Sequence, residues 1–290
     1  MLRIRQINDI KVKVPKNLSQ YKDMRPPKNA NMFPEPNPNV FIVAKKNSGK
    51  TVALFNIMKN TIGRNTIVIF FVSTINSDGT YLAMKEWLDK KDIEHRDYTD
   101  IIDEEGVDNL KVLADSFKQM AEEREEKRME QKMKGKGKKR KFTCLEDVKN
   151  GFYDDEEEDD EPVDRLPYQT PDYFIVYDDI SEQLKHKSLP TLLKKNRHIK
   201  VTQIISTQYF YDLDKSARRQ CDYILVFKGL SEDKLKEVFD LSNTSLTFDI
   251  FYKLYKRITK PAHSFLYIDC HGNKNKFRQN FDKLVEYKEK

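Results

Sequence analysis

Residues 39–51 constrain this chain more than any other stretch. They read Asn-Val-Phe-Ile-Val-Ala-Lys-Lys-Asn-Ser-Gly-Lys-Thr. A short apolar run, Asn39 to Val43, feeds a polar loop that ends in Gly49-Lys50-Thr51. Beyond it Val52, Ala53, Leu54, Ile57 and Met58 recur at helical spacing. Strand, loop and helix in this order predict a phosphate-binding loop. Successive N–H groups curl into a concave anion site. Gly49 lets the backbone approach phosphates closely, and the helix N-terminus adds unpaired donors and a partial positive charge. The candidate contacts are Ala44, Lys45, Lys46, Asn47, Ser48, Gly49, Lys50, Thr51 and Val52. Lys50 is expected to reach the β- and γ-phosphates of ATP, and the Thr51 hydroxyl to ligate Mg²⁺. Ala44 stands where the strict pattern has Gly. The bland alternative is a Gly/Ser turn between a strand and a helix. The strand before and the amphipathic helix after are independent requirements, and both are met.

A second constellation lies about 120 residues downstream. Tyr173-Phe174-Ile175-Val176-Tyr177 is an apolar run that ends in Asp178-Asp179. Acids at the C-terminal end of a central strand sit where open α/β sheets bind ligands. Asp178 is expected in the Mg²⁺ shell, and Asp179 is expected to orient or deprotonate the attacking water. An Asp-Asp turn after a strand is common, so this signal gains its weight from the loop upstream. Residues 199–208 read as a further strand ending at Gln208. An amide there can donate to a γ-phosphate and accept from water, or simply cap the strand. Residues 214–220 form a short basic turn, and Arg218 is the candidate for an arginine that acts on a neighbouring subunit's nucleotide, with Arg197 and Arg219 as rivals.

The remainder reads as scaffold. Thr66 to Val72 is a continuous β-branched and aromatic run, as in a strand buried on both faces. A helix carrying Leu82, Trp87 and Leu88 follows, with Trp87 as a core or interface anchor. Residues 1–38 read as an N-terminal arm whose last part, Pro26 to Pro38, is extended by its prolines. It packs either on a neighbour or on its own domain. Helices at 232–241 and 245–257, a strand at 264–269 and a C-terminal tail at 281–290 close the chain. Charged residues make up 34% of the sequence and hydrophobic ones only 38%, so part of it is expected not to pack. That part is an insertion at about 104–165. It holds the Lys134–Lys141 basic run and eight consecutive carboxylates from Asp154 to Glu161. Such blocks repel and do not fold alone. A basic DNA-contacting loop, a nuclear import signal and an acidic mask are sharper readings of the same residues. The three cysteines are scattered, which fits neither a metal site nor a disulfide framework and favours a reducing compartment. No apolar run is long enough for a membrane span, and the N-terminus lacks an apolar signal core. The net charge of +6 favours a polyanionic partner mildly.

Taken in order, Ile42 to Thr51, Ile175 to Asp179, Asn196-Arg197-His198, Ser206 to Tyr209, Ala217-Arg218 and Phe265 to Asp269 resemble a known set of motifs. It is that of the poxvirus-type genome-packaging ATPases of large DNA viruses and their virophage relatives, within the FtsK–HerA superfamily of P-loop motors. The resemblance covers about residues 38–280, outside the charged insertion. Asp179 departs from the glutamate common in the wider superfamily. The implied fold is a mostly parallel α/β P-loop NTPase with helices on both faces and an extra strand between the loop strand and the acidic strand. The implied activity is ATP hydrolysis coupled to packaging of double-stranded DNA. The implied partners are its own copies, in a ring of five or six, and a capsid or vertex protein. The implied setting is the host cytoplasm or the virion, with the nucleus open from the basic run. A nucleotide or nucleoside kinase is an alternative, although no lid motif is visible. A non-catalytic capsid-assembly scaffold is another.

Overall fold

The computed structural model describes residues 23, 25–134, 166–271 and 276–286. The described chain builds one nine-stranded sheet in the order β3-β2-β4-β5-β1-β6-β7-β8-β9. Its strands are β1 (Asn39–Val43), β2 (Ile67–Val72), β3 (His95–Tyr98), β4 (Tyr173–Asp178), β5 (Val201–Thr207), β6 (Tyr223–Phe227), β7 (Phe265–Asp269), β8 (Phe277–Gln279) and β9 (Lys283–Leu284). From β3 to β6 all neighbours are parallel, and β7 to β9 add an antiparallel flank. The expected extra strand is present, because β5 lies between β1 and β4. The apolar runs explain the burial. Every residue of β1, β4, β5 and β6 is buried, as parallel strands covered on both faces must be.

Helices cover the two faces. α1 (Lys50–Thr61) and α2 (Gly79–Lys90) sit on one, where Leu54, Ile57, Tyr81, Met84 and Leu88 pack against Ile42, Phe70 and Val176. The other face carries α3 (Asn109–Lys134), α4 (Ser188–Leu193), α5 (Lys215–Arg218), α6 (Glu232–Ser242) and α7 (Phe248–Ile258). Its core joins Leu189, Leu192, Leu235, Val238, Phe251 and Tyr255 to Phe41, Ile175 and Ile224. No described helix is long and apolar enough to cross a membrane.

Three features depart from what the sequence suggests. The start of the expected insertion is core, since Leu110, Leu113 and Phe117 of α3 are buried against the sheet and Phe117 packs 3.9 Å from Tyr173. The charged residues that follow mask those three anchors in any average over the stretch. β3 is the polar tetrapeptide His-Arg-Asp-Tyr, which carries no strand signal; it forms because it pairs with β2 at the exposed sheet edge. The sheet also continues past residue 280, through a β8–β9 turn with Asn280 at φ 56°. The basic run beyond Lys134 and the acidic run lie outside the described residues. The described arm packs on its own domain. Phe33 is 3% exposed, its ring 4.8 Å from Tyr223 and 6.0 Å from Phe281, and Pro27 bridges Gln169.

Candidate nucleotide site

In a parallel sheet the C-terminal ends of β1, β4 and β5 share one edge, and the candidate residues gather there. The loop after β1 turns into α1 through Asn47 at φ 62° and Gly49 at φ 95°. Gly49 is the N-cap of α1 and must be glycine for two reasons. Its backbone is left-handed, and a Cβ there would stand 3.2 Å from His263 Nδ1. Ser48 stiffens the loop by donating its N–H and hydroxyl to the Lys45 carbonyl, at 3.3 and 2.6 Å. Among the described residues, the backbone N–H groups of Asn47, Gly49, Lys50 and Thr51 have no acceptor within the chain. Free donors of this kind at a helix N-terminus make an anion site.

Lys50 is the buried centre. It is 8% exposed, and its Nζ donates to Asp178 Oδ1 at 2.6 Å and to Asp179 Oδ1 at 2.9 Å. Burial opposes its charge, but the two carboxylates outweigh that and hold its ammonium above the usual lysine range. Asp178 is 1% exposed. Burial pushes its carboxyl upward, while Lys50 and the Tyr81 hydroxyl, which donates to Oδ2 at 2.7 Å, pull it back. The Tyr81 phenol is itself pushed well up, by burial first and by Asp178 next, so it stays a donor. Asp179 follows in a left-handed turn at φ 55°, a conformation Asp tolerates. Its carbonyl accepts from the Ser73 hydroxyl at 2.8 Å, and its side chain is 32% exposed.

The donor set suits a hydrated magnesium ion. Among the described residues no three acidic, His or Cys side chains cluster as a closed metal cage. Magnesium asks for less, namely one or two carboxylates with phosphates and waters completing the shell. Asp178 is such a carboxylate. Ser206 pairs in register with Asp178 and with Ile42, and the strand period puts Ser206 and Asp178 on the α1 face. Among the described residues the Ser206 hydroxyl, buried there, has no hydrogen-bond partner, which leaves a polar group for a bound water beside the acid.

Of the other candidates, Thr51 and Gln208 lie by the loop and the arginines do not. Thr51 is half-buried one residue beyond Lys50 on α1. Gln208 is half-buried past β5 and lines a cavity of about 200 Å³ with Ala44, Lys45, Lys228 and Gly229, beside the phosphate loop. Arg218 does not project. It is 7% exposed, donates to the Phe210 carbonyl at 3.0 Å, lies 4.5 Å over the Phe210 ring and pairs with Glu237 at 3.7 Å. Arg197 pairs with Asp222, which precedes β6, at the opposite edge of the sheet. Arg219 is exposed. Trp87 is a partly buried anchor, edge-on to Phe55 at 5.9 Å. Sequence reasoning missed Tyr81 and His263. Tyr81 sits in the apolar stripe with Met84 and Leu88, where a tyrosine reads as core. His263 lies in an exposed loop, and only folding carries its Nδ1 to 3.2 Å from the Ser48 carbonyl.

No family model matches the chain, and no curated protein does. Among solved structures it is similar to the genome packaging NTPase B204 of Sulfolobus turreted icosahedral virus 2 in complex with sulfate. There the identity is 14% over 87% of this chain and 100% of that one, with a TM-score of 0.44. The DNA-packaging ATPase B204 of Sulfolobus Turreted Icosahedral Virus gives 16%, 87%, 99% and 0.47 in the same order. The cytoplasmic domain of the Type VII secretion ATPase EccC of Thermomonospora curvata gives 15%, 84%, 25% and 0.46. Likenesses this distant carry no weight of their own. The fold stands on its sheet order and the site on its distances.

Proposed function

We propose that this chain is an ATPase that drives double-stranded DNA into a viral capsid. The hydrolase reading rests on one observation. The lysine that follows the phosphate loop lies 2.6 Å from the first of two acids ending β4, although β5 intervenes between their strands. A Gly/Ser turn without a ligand gives no reason to bury a lysine against two carboxylates. On this reading Lys50 leaves the acids for the β- and γ-phosphates, exchanging one set of anions for another. Thr51 and Asp178 hold magnesium, which when bound neutralises charge on the phosphate oxygens. Asp179, with its partly exposed side chain, orients and deprotonates the attacking water. Gln208 reports the γ-phosphate. Arg218 serves a neighbour's nucleotide only if subunit contact draws it off Phe210 and Glu237; in its present seat it serves its own chain.

The ordered motif set supports DNA packaging as the work driven by hydrolysis, and the net charge of +6 is compatible with a DNA partner. A ring of five or six copies, a capsid or vertex partner and a site of action in the virus factory or virion belong to the same proposal. The test is ATP turnover by the full chain with and without duplex DNA across a salt series. Turnover should rise with DNA, the rise should fade with salt, and Lys50→Ala should abolish both. Turnover indifferent to DNA at every salt concentration would refute the motor. Phosphate transfer to a nucleoside would favour a kinase instead, and a wild-type chain that binds no nucleotide would favour a scaffold.

A further inference from the structure

Asp178 has two oxygens with two different donors. Oδ1 belongs to Lys50 and Oδ2 to the Tyr81 hydroxyl at 2.7 Å. Tyr81 is 1% exposed, and its ring stands edge-on to Phe70 of β2, with 6.0 Å between centroids and 82° between planes. Its helix is pinned one turn earlier, where the Asp78 side chain accepts from Thr80 N at 2.7 Å. The phenol is therefore rigidly aimed. We infer that Tyr81 is a positioning residue that holds Oδ2 so that Oδ1 faces the phosphate side of the site. This rests on the nucleotide reading above. Once Lys50 turns to phosphates, Tyr81 is, among the described residues, the side-chain donor left on Asp178. A carboxylate rotates broadly about its last torsion, and one bonded oxygen suffices to aim the other.

Tyr81→Phe keeps the ring and its contact with Phe70 while deleting the donor. The full-length chain is titrated with the ATP analogue ATPγS in magnesium and again in EDTA, and the ratio of affinities measures the magnesium contribution. In wild type, magnesium should tighten binding. In Tyr81→Phe that enhancement should drop about tenfold or more, the worth of a hydrogen bond to a charged group. Affinity in EDTA should stay within about twofold, and the magnesium needed for half-maximal turnover should rise. In an Asp178→Asn background Tyr81→Phe should have no further effect on the enhancement. An unchanged enhancement in Tyr81→Phe, equal losses with and without magnesium, or an undiminished effect in the Asn background each overturn the role of Tyr81 and leave the nucleotide reading intact. A wild-type chain that binds no ATPγS overturns both; one that binds it equally in EDTA overturns the magnesium role of Asp178, and with it that of Tyr81, while nucleotide binding stands.

Discussion

Removing Lys50 should destabilise the nucleotide-free protein as well as silence it. In Lys50→Ala the carboxylate of Asp178, 1% exposed, keeps, among the described residues, only the Tyr81 hydroxyl. Breaking a buried pair by deleting one partner costs about 3–5 kcal/mol. Two features of this site lower that figure. Asp179 is 32% exposed and can turn to water. Asp178 can also take up a proton, and neutralising a carboxyl of ordinary pKa at pH 7 costs at most about 4 kcal/mol. The expected loss is therefore about 2–4 kcal/mol, or roughly 5–10 °C in melting temperature for a domain of this size. Thermal and urea unfolding without nucleotide measure it. The sign of the pH dependence follows. With Lys50 gone, the folded Asp178 binds its proton more tightly than the unfolded chain does. The deficit against wild type should thus shrink as pH falls from 7 towards 4. Adding Asp178→Asn should recover most of the loss. A Lys50→Ala variant as stable as wild type at pH 7 would refute the reasoning, for it would mean that Lys50 does not neutralise a buried acid.

Gly49→Ala should weaken both fold and nucleotide binding, with about 1–2 kcal/mol lost to the left-handed backbone before the contact with His263 is counted; unchanged ATPγS affinity and melting would show a more open loop. Phe33→Ala should cost about 3–5 kcal/mol in denaturant unfolding, because the ring is buried against Tyr223 and Phe281; a loss below about 1 kcal/mol would detach the arm from the core. At high pH, burial pushes the Cys270 thiol up to about 12 and the Tyr223 and Tyr267 phenols upward. These groups hold protons more tightly folded than unfolded. Their contribution is intact below about pH 9 and lost as pH rises towards 12. Half-buried Cys270 should accordingly be alkylated more slowly at pH 9 in the folded protein than in the unfolded chain, and equal rates would contradict the upward shift of its thiol.

Local order decided a large part of this protein. Runs such as Ile67 to Val72 and Tyr173 to Tyr177 can only be strands covered on both sides. Gly49-Lys50-Thr51 after such a strand can hardly end in anything but a donor-rich turn into a helix. These features depend on neighbours in the chain, and so they are legible before folding. Strand order, and with it the meeting of Lys50 and Asp178, was legible only through the resemblance of ordered motifs, since no local rule sets which strands pair. Three other matters belong to the tertiary structure alone. Tyr81 becomes a hydrogen-bond donor to Asp178 because α2 lies over β2 next to β4. His263 reaches the phosphate loop because β7 runs antiparallel to β6 and so begins at the sheet edge where β1 and β6 end. Arg218, by sequence a candidate to act on a neighbouring subunit, is captured by Phe210 and Glu237. Each depends on contacts between residues remote in sequence or on the exact seat of a short helix. Hydrophobic pattern decides which faces are buried; it does not decide what a polar atom finds once it is buried there.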